Sequence, residues 1–126
     1  MASARILAVD DSPTILAMLQ EMLVSAGYEV LTAEDGVEAL ECARSERPDL
    51  ILLDVMLPKL DGYRVCRLLK FDHKYKAIPI IMLTAKTEEQ AMATGLRTGA
   101  DQYLTKPVEP ERLLDAVAAE LSRARG

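Results

Sequence analysis

Short, largely apolar runs alternate with segments of helical spacing along the whole chain. No other feature restricts the possible folds as much. Apolar runs at residues 5–9, 28–33, 50–53, 78–83 and 102–105 read as strands. Residues 13–26, 35–45, 62–71, 87–97 and 109–123 read as helices. The first helix places Ile15, Met18, Leu19 and Met22 on one stripe, and the last places Leu113, Leu114, Val117 and Leu121 on one side. Gly27 and Gly99 follow helices as stop signals.

Strict alternation of strand and helix implies a parallel sheet with helices on both faces. The first, third and fourth runs are apolar at successive positions, as expected of strands covered on both sides. Right-handed crossovers leave few ways to wind such a chain. We expect an α/β, flavodoxin-like (βα)5 fold: a doubly wound parallel five-stranded sheet in the order 2-1-3-4-5. The 126 residues suit one domain with one real core, spanning 1–126 with no output domain in this chain.

Composition narrows the function. Half of the chain is apolar, which argues against disorder. With four tyrosines and one phenylalanine, the core must be mostly aliphatic. A net charge of −5 argues against direct nucleic-acid binding, which needs a basic surface. No apolar run approaches the ~20 residues of a membrane span. The N-terminus reaches acids too soon for a signal peptide, so we expect a cytoplasmic protein with no membrane partner. Cys42 and Cys66 lack ligand spacing and read as free, partly buried thiols.

The polar residues that end the strands are more specific. Asp10-Asp11 end the first, Asp54 the third, Thr84 the fourth and Lys106-Pro107 the fifth. In open α/β sheets the carboxyl ends of the strands face the functional crevice. Taken singly, each has an ordinary reading: Asp11-Ser12-Pro13 suits a helix cap, Thr84 a turn, Lys106 a solvated charge. Together they place three acids, a hydroxyl and an ammonium at one edge. Three such carboxylates repel one another unless a cation is bound. Oxygen donors without His or Cys call for a hard ion, Mg²⁺ or Mn²⁺. A hard ion beside a lysine makes an anion site, and phosphate is the obvious anion. No GxxxxGK[ST] or GxGxxG occurs, so a bound nucleotide is not indicated. A carboxylate that accepts a phosphoryl group fits what remains.

The stretches ILAVDDS, LLDVMLPKLDGY, PIIMLTA and GADQYLTKP, in this order and spacing, resemble the receiver domain of bacterial two-component response regulators, in its stand-alone, chemotaxis-regulator-like form. The resemblance covers essentially the whole chain. It implies that Asp54 is the phosphoacceptor for a sensor histidine kinase or phosphotransfer protein. It implies that Asp10, Asp11, Asp54 and the Met56 backbone carbonyl hold the metal. Thr84 and Lys106 would bind phosphoryl oxygens, and Pro107 would follow a cis peptide bond. Thr84 and Tyr103 would switch together on phosphorylation. Output to a downstream protein would use the face built from the fourth helix, fifth strand and fifth helix, including Met92, Leu96 and Tyr103.

Some positions depart from the family's commonest pattern. Val108 stands where a phenylalanine is usual. Met56 and Lys86 occupy positions that flank the attacking water in the family, so we expect them to slow dephosphorylation. Two other classes are weighed. An aspartate-nucleophile phosphohydrolase resembles this pattern but carries a second Asp where Met56 stands. A flavin carrier is permitted by the sheet type, but the strand-end loops are acidic and poor in glycine. Hence no enzymatic turnover is expected beyond autocatalytic phosphorylation and dephosphorylation. Of the smaller features, His73 reads as a solvated loop residue, and Arg64, Arg67 and Lys70 as a solvated helix face. Leu16 and Leu23 lie beside the first helix's stripe and widen its apolar face, which reads first as extra burial, with contact of Leu16 to a kinase helix bundle as the alternative.

Overall fold

The computed structural model describes residues 3–85 and 98–125. Strands β1 (Arg5–Val9), β2 (Glu29–Ala33), β3 (Leu50–Asp54), β4 (Ile80–Thr84) and β5 (Gln102–Thr105) form one sheet in the order β2-β1-β3-β4-β5. Every neighbouring pair is parallel. This is the expected topology. Helices α1 (Pro13–Ser25), α2 (Gly36–Glu46) and α3 (Gly62–Lys70) and a C-terminal helix (Pro110–Arg125) accompany it. The helix expected at residues 87–97 lies outside the described residues, as do Lys86, Met92 and Leu96.

Successive side chains of a strand point to opposite faces. That splits the apolar runs into two cores. Ile6, Ala8, Leu50, Leu52, Ile81 and Leu83 pack with α1 and the C-terminal helix. Leu7, Val9, Ile51, Leu53, Ile80 and Met82 pack with α2 and α3. Both sets are buried, which is why the central strands show no polar alternation. Burying one Leu or Ile contributes about 1.5–3 kcal/mol, so Leu52→Ala should cost about 2–5 kcal/mol.

Local chemistry starts the helices. Ser12 caps α1, its hydroxyl accepting the Ile15 N–H at 3.3 Å, with Pro13 at the first helical position. Asp35 caps α2 through the Glu38 N–H at 2.8 Å. Asp61 caps α3 through the Arg64 N–H at 3.0 Å. Gly27, just beyond α1, takes φ +97°, a conformation glycine adopts without steric cost.

Three expectations need correction. The buried stripe of α1 is Leu16, Leu19 and Leu23, while Met18 is 60% exposed. Leu16 and Leu23 are core residues, which bears out the reading of extra burial and sets aside a partner contact through Leu16. Lys70 is not on a solvated face. Its ammonium lies 2.6 Å from the Asp101 carboxylate and donates to the carbonyls of Lys76 and Ile78. It ties the end of α3 to the entry of β5. The strand expected from residue 78 begins only at Ile80, whose N–H donates to Asp101 Oδ2 at 2.8 Å.

Candidate functional site

The sheet register builds the site. Val9 pairs with Leu53, which sets Asp10, the residue after β1, beside Asp54 at the end of β3. Asp54 pairs with Leu83, and Thr84 with Thr105, so Thr84 and Lys106 follow on the same edge. Asp10, Asp54 and Thr84 are buried, Lys106 is half-buried and Asp11 is exposed.

Lys106 is the hub. Its Nζ donates to Asp10 Oδ2 and to Asp54 Oδ1, each at 3.0 Å. The Lys106 N–H donates to the Thr84 carbonyl at 2.7 Å, which fixes the backbone at the end of β5 against β4, and the Lys106–Pro107 peptide bond is cis. The other oxygen of Asp10 accepts the Ser12 N–H at 2.9 Å, a local side-chain turn that locks its orientation. This turn and the resting double ion pair were not anticipated from the sequence. An Asp two residues before a Ser that caps a helix is the signal that could have suggested the turn.

The loop after Asp54 is held in place. Val55 donates to the Leu83 carbonyl at 3.2 Å and accepts N–H groups from Leu57 and Gly62. Gly62 packs so closely that a Cβ there would collide with the Asp54 carbonyl. The Met56 side chain, 74% exposed, projects into solvent two residues from the acid. Tyr103 is partly buried against the α2–α3 core. His73 is exposed in the loop after α3 and takes no part in the cluster.

One carboxylate oxygen from each of Asp10, Asp11 and Asp54 lies within 4.8 Å of the other two. One ammonium cannot neutralise three carboxylates. Burial raises the Asp54 carboxyl above its ordinary range; Lys106 opposes the shift, and the Asp10 charge adds to it. For Lys106, burial alone would lower the pKa, but its hydrogen bonds to Asp10 and Asp54 outweigh burial and raise it. The arrangement can hold a metal ion, and its oxygen-only donors with surplus negative charge fit a hard divalent cation. Among the described residues no helix is long and apolar enough to cross a membrane.

Comparison with known proteins agrees with this geometry. The response regulator receiver domain family model matches residues 6–118. The chain is 51% identical to the alkaline phosphatase synthesis transcriptional regulatory protein PhoP of Bacillus subtilis, over 95% of this chain but 49% of PhoP. It thus spans about half the length of that relative. It is 45% identical to PilH of Pseudomonas aeruginosa, over 94% of this chain and 98% of PilH. Among solved structures, it superposes with a TM-score of 0.88 on the receiver domain of the sensor histidine kinase PA1611 from Pseudomonas aeruginosa PAO1. That match has 34% identity and covers 96% of this chain and 98% of the other, which was solved with a magnesium ion coordinated in its active-site cleft. By sequence and by fold alike, this chain belongs to the family of response regulator receiver domains of two-component signalling systems.

Proposed function

We propose that Asp54 accepts a phosphoryl group from a phosphohistidine of a sensor histidine kinase or phosphotransfer protein. The resulting acyl phosphate then changes the affinity of the domain for a downstream protein. A carboxylate oxygen of Asp54 forms the new O–P bond as the N–P bond of the donor breaks, and the leaving imidazole keeps the bonding electrons. Such a transfer needs positioning and charge stabilisation more than elaborate acid–base groups. The observation that carries the reading is Lys106 Nζ, 3.0 Å from both Asp54 and Asp10 at the edge where Asp11 converges.

Lys106 holds one oxygen of the transferring group as a point charge, and the Thr84 hydroxyl takes another. Asp10, Asp11, Asp54 and the Met56 backbone carbonyl hold Mg²⁺, for which Mn²⁺ can substitute. When bound, the ion neutralises the carboxylates and the incoming phosphoryl charge. Thr84 and Tyr103 move together on phosphorylation and shift the population toward a second arrangement. The readout surface includes β5 and the C-terminal helix.

Met56 occupies the position at which aspartate-nucleophile phosphohydrolases carry a second aspartate, so the domain turns over no external phosphomonoester. Its acidic balance argues against direct contact of this domain with nucleic acid, and we place its action in the cytoplasm. Relatives such as PhoP, a transcriptional regulatory protein, extend well beyond the matched region. The test is incubation with acetyl phosphate followed by intact-mass spectrometry. Phosphate uptake should require Mg²⁺ or Mn²⁺ and vanish with chelator. Uptake that ignores chelation counts against the metal assignment.

A further inference from the structure

The surface of α3 runs against the charge of the rest of the chain. Residues 59–76 hold six of the fifteen basic residues but only two of the twenty acids. Lys70 is turned inward to Asp101, so it does not contribute to that surface. Arg44 from α2 and Arg64 and Arg67 from α3 line a groove of about 760 Å³, together with Leu60, Leu68 and Phe71.

The apolar members are what need explaining. Phe71 is 70% exposed and Leu68 is 46% exposed. The Arg67 guanidinium lies 5.6 Å from the Phe71 ring centroid. A basic last turn is favoured by the helix dipole alone, which accounts for Arg67. It does not account for a large aromatic and a leucine left in water beside it. Arg64 pairs with Asp61 at 3.7 Å, but this is an exposed pair one turn apart and is easily exchanged. Among the described residues neither Arg44 nor Arg67 has an ion-pair partner.

We propose that this α2–α3 groove docks an acidic segment of a partner protein. One or two large apolar side chains seat against Phe71 and Leu68, and flanking carboxylates pair with Arg44, Arg64 and Arg67. Arginine suits this role because its planar fork binds carboxylates in a bidentate way and stacks on aromatic rings. Leu60 and Leu68 give the groove aliphatic walls that favour a peptide with apolar anchors. The mode is a short segment laid into a groove, with apolar anchors setting affinity and charge setting orientation.

The test is selection of a random-peptide phage library on the intact protein, with the winners measured by fluorescence anisotropy. Arg67→Gln and Phe71→Ser are the variants, both at exposed positions, and each should melt close to the parent and still accept phosphate from acetyl phosphate. Selected peptides should combine Asp or Glu with a large apolar residue. They should bind each variant about tenfold more weakly, a change of about 1.4 kcal/mol, and lose affinity as salt rises. Winners without acidic residues, or winners that bind the variants equally, overturn the proposal. So does a single-stranded oligonucleotide that binds the parent more tightly than any selected peptide.

Discussion

The Lys106 ammonium lies 3.0 Å from the Asp54 carboxylate while holding Asp10 at the same distance. One cation thus serves two buried acids at the ends of different strands. Lys106→Met leaves both without their counter-ion. The metal-free variant should lose about 1–3 kcal/mol, because unpaired buried charges keep their full desolvation cost. Saturating Mg²⁺ should restore part of the loss, since a ligand at a hundredfold its Kd stabilises the native state by about 2.7 kcal/mol. Thermal melting with chelator and with Mg²⁺ checks this, and an unchanged melting temperature in chelator would sink it.

Asp54 is a cost to the metal-free fold. Burial raises its carboxyl above the ordinary 3.8. A raised acid contributes stability that is fully present below 3.8 and is lost as the pH rises through the folded-state value. At neutral pH the ionised side chain is therefore unfavourable without metal. Asp54→Asn should melt higher than the parent in chelator, yet gain less from Mg²⁺. A lower melting point in chelator would show that the Lys106 pairing outweighs the burial of the charge.

Asp35 behaves in the opposite sense. The Glu38 backbone N–H at the start of α2 is the main cause that holds its carboxyl below 3.8. Its contribution is present above 3.8 and is lost as the pH falls through the lower, folded-state value. Asp35→Ala should melt lower than the parent at neutral pH, and the two should converge on acidification below 3.8. A difference that stays constant with pH would assign the role to packing instead of the charged cap.

Met56, two residues after Asp54, is 74% exposed. We propose that an apolar side chain there hinders the water that would hydrolyse an acyl phosphate on Asp54. Met56→Asn should shorten the phosphoryl lifetime several-fold, followed by loss of radiolabel after the donor is removed. An unchanged lifetime removes Met56 from the account.

The strand order was legible because the central strands are buried on both faces, and only a doubly covered parallel sheet asks for runs such as LILLD and IIMLT. The site followed from the same pattern: once the strands are parallel, Asp10, Asp54, Thr84 and Lys106 must share an edge. What was hidden is what depends on partners distant in sequence. Helix α1 carries apolar residues on two adjacent stripes, and only the sheet decides that Leu16, Leu19 and Leu23 face inward while Met18 does not. Lys70 looks like a surface charge until Asp101, far along the chain, is brought against it.

The phosphoryl group on Asp54 is the central claim, and its bond chemistry gives a direct readout. Borohydride cleaves an aspartyl phosphate reductively and leaves homoserine at the modified position. After treatment with acetyl phosphate and Mg²⁺, reduction and peptide mapping by mass spectrometry should find homoserine at position 54 and at no other aspartate. Homoserine elsewhere, or phosphate uptake that survives Asp54→Asn undiminished, would contradict the assignment.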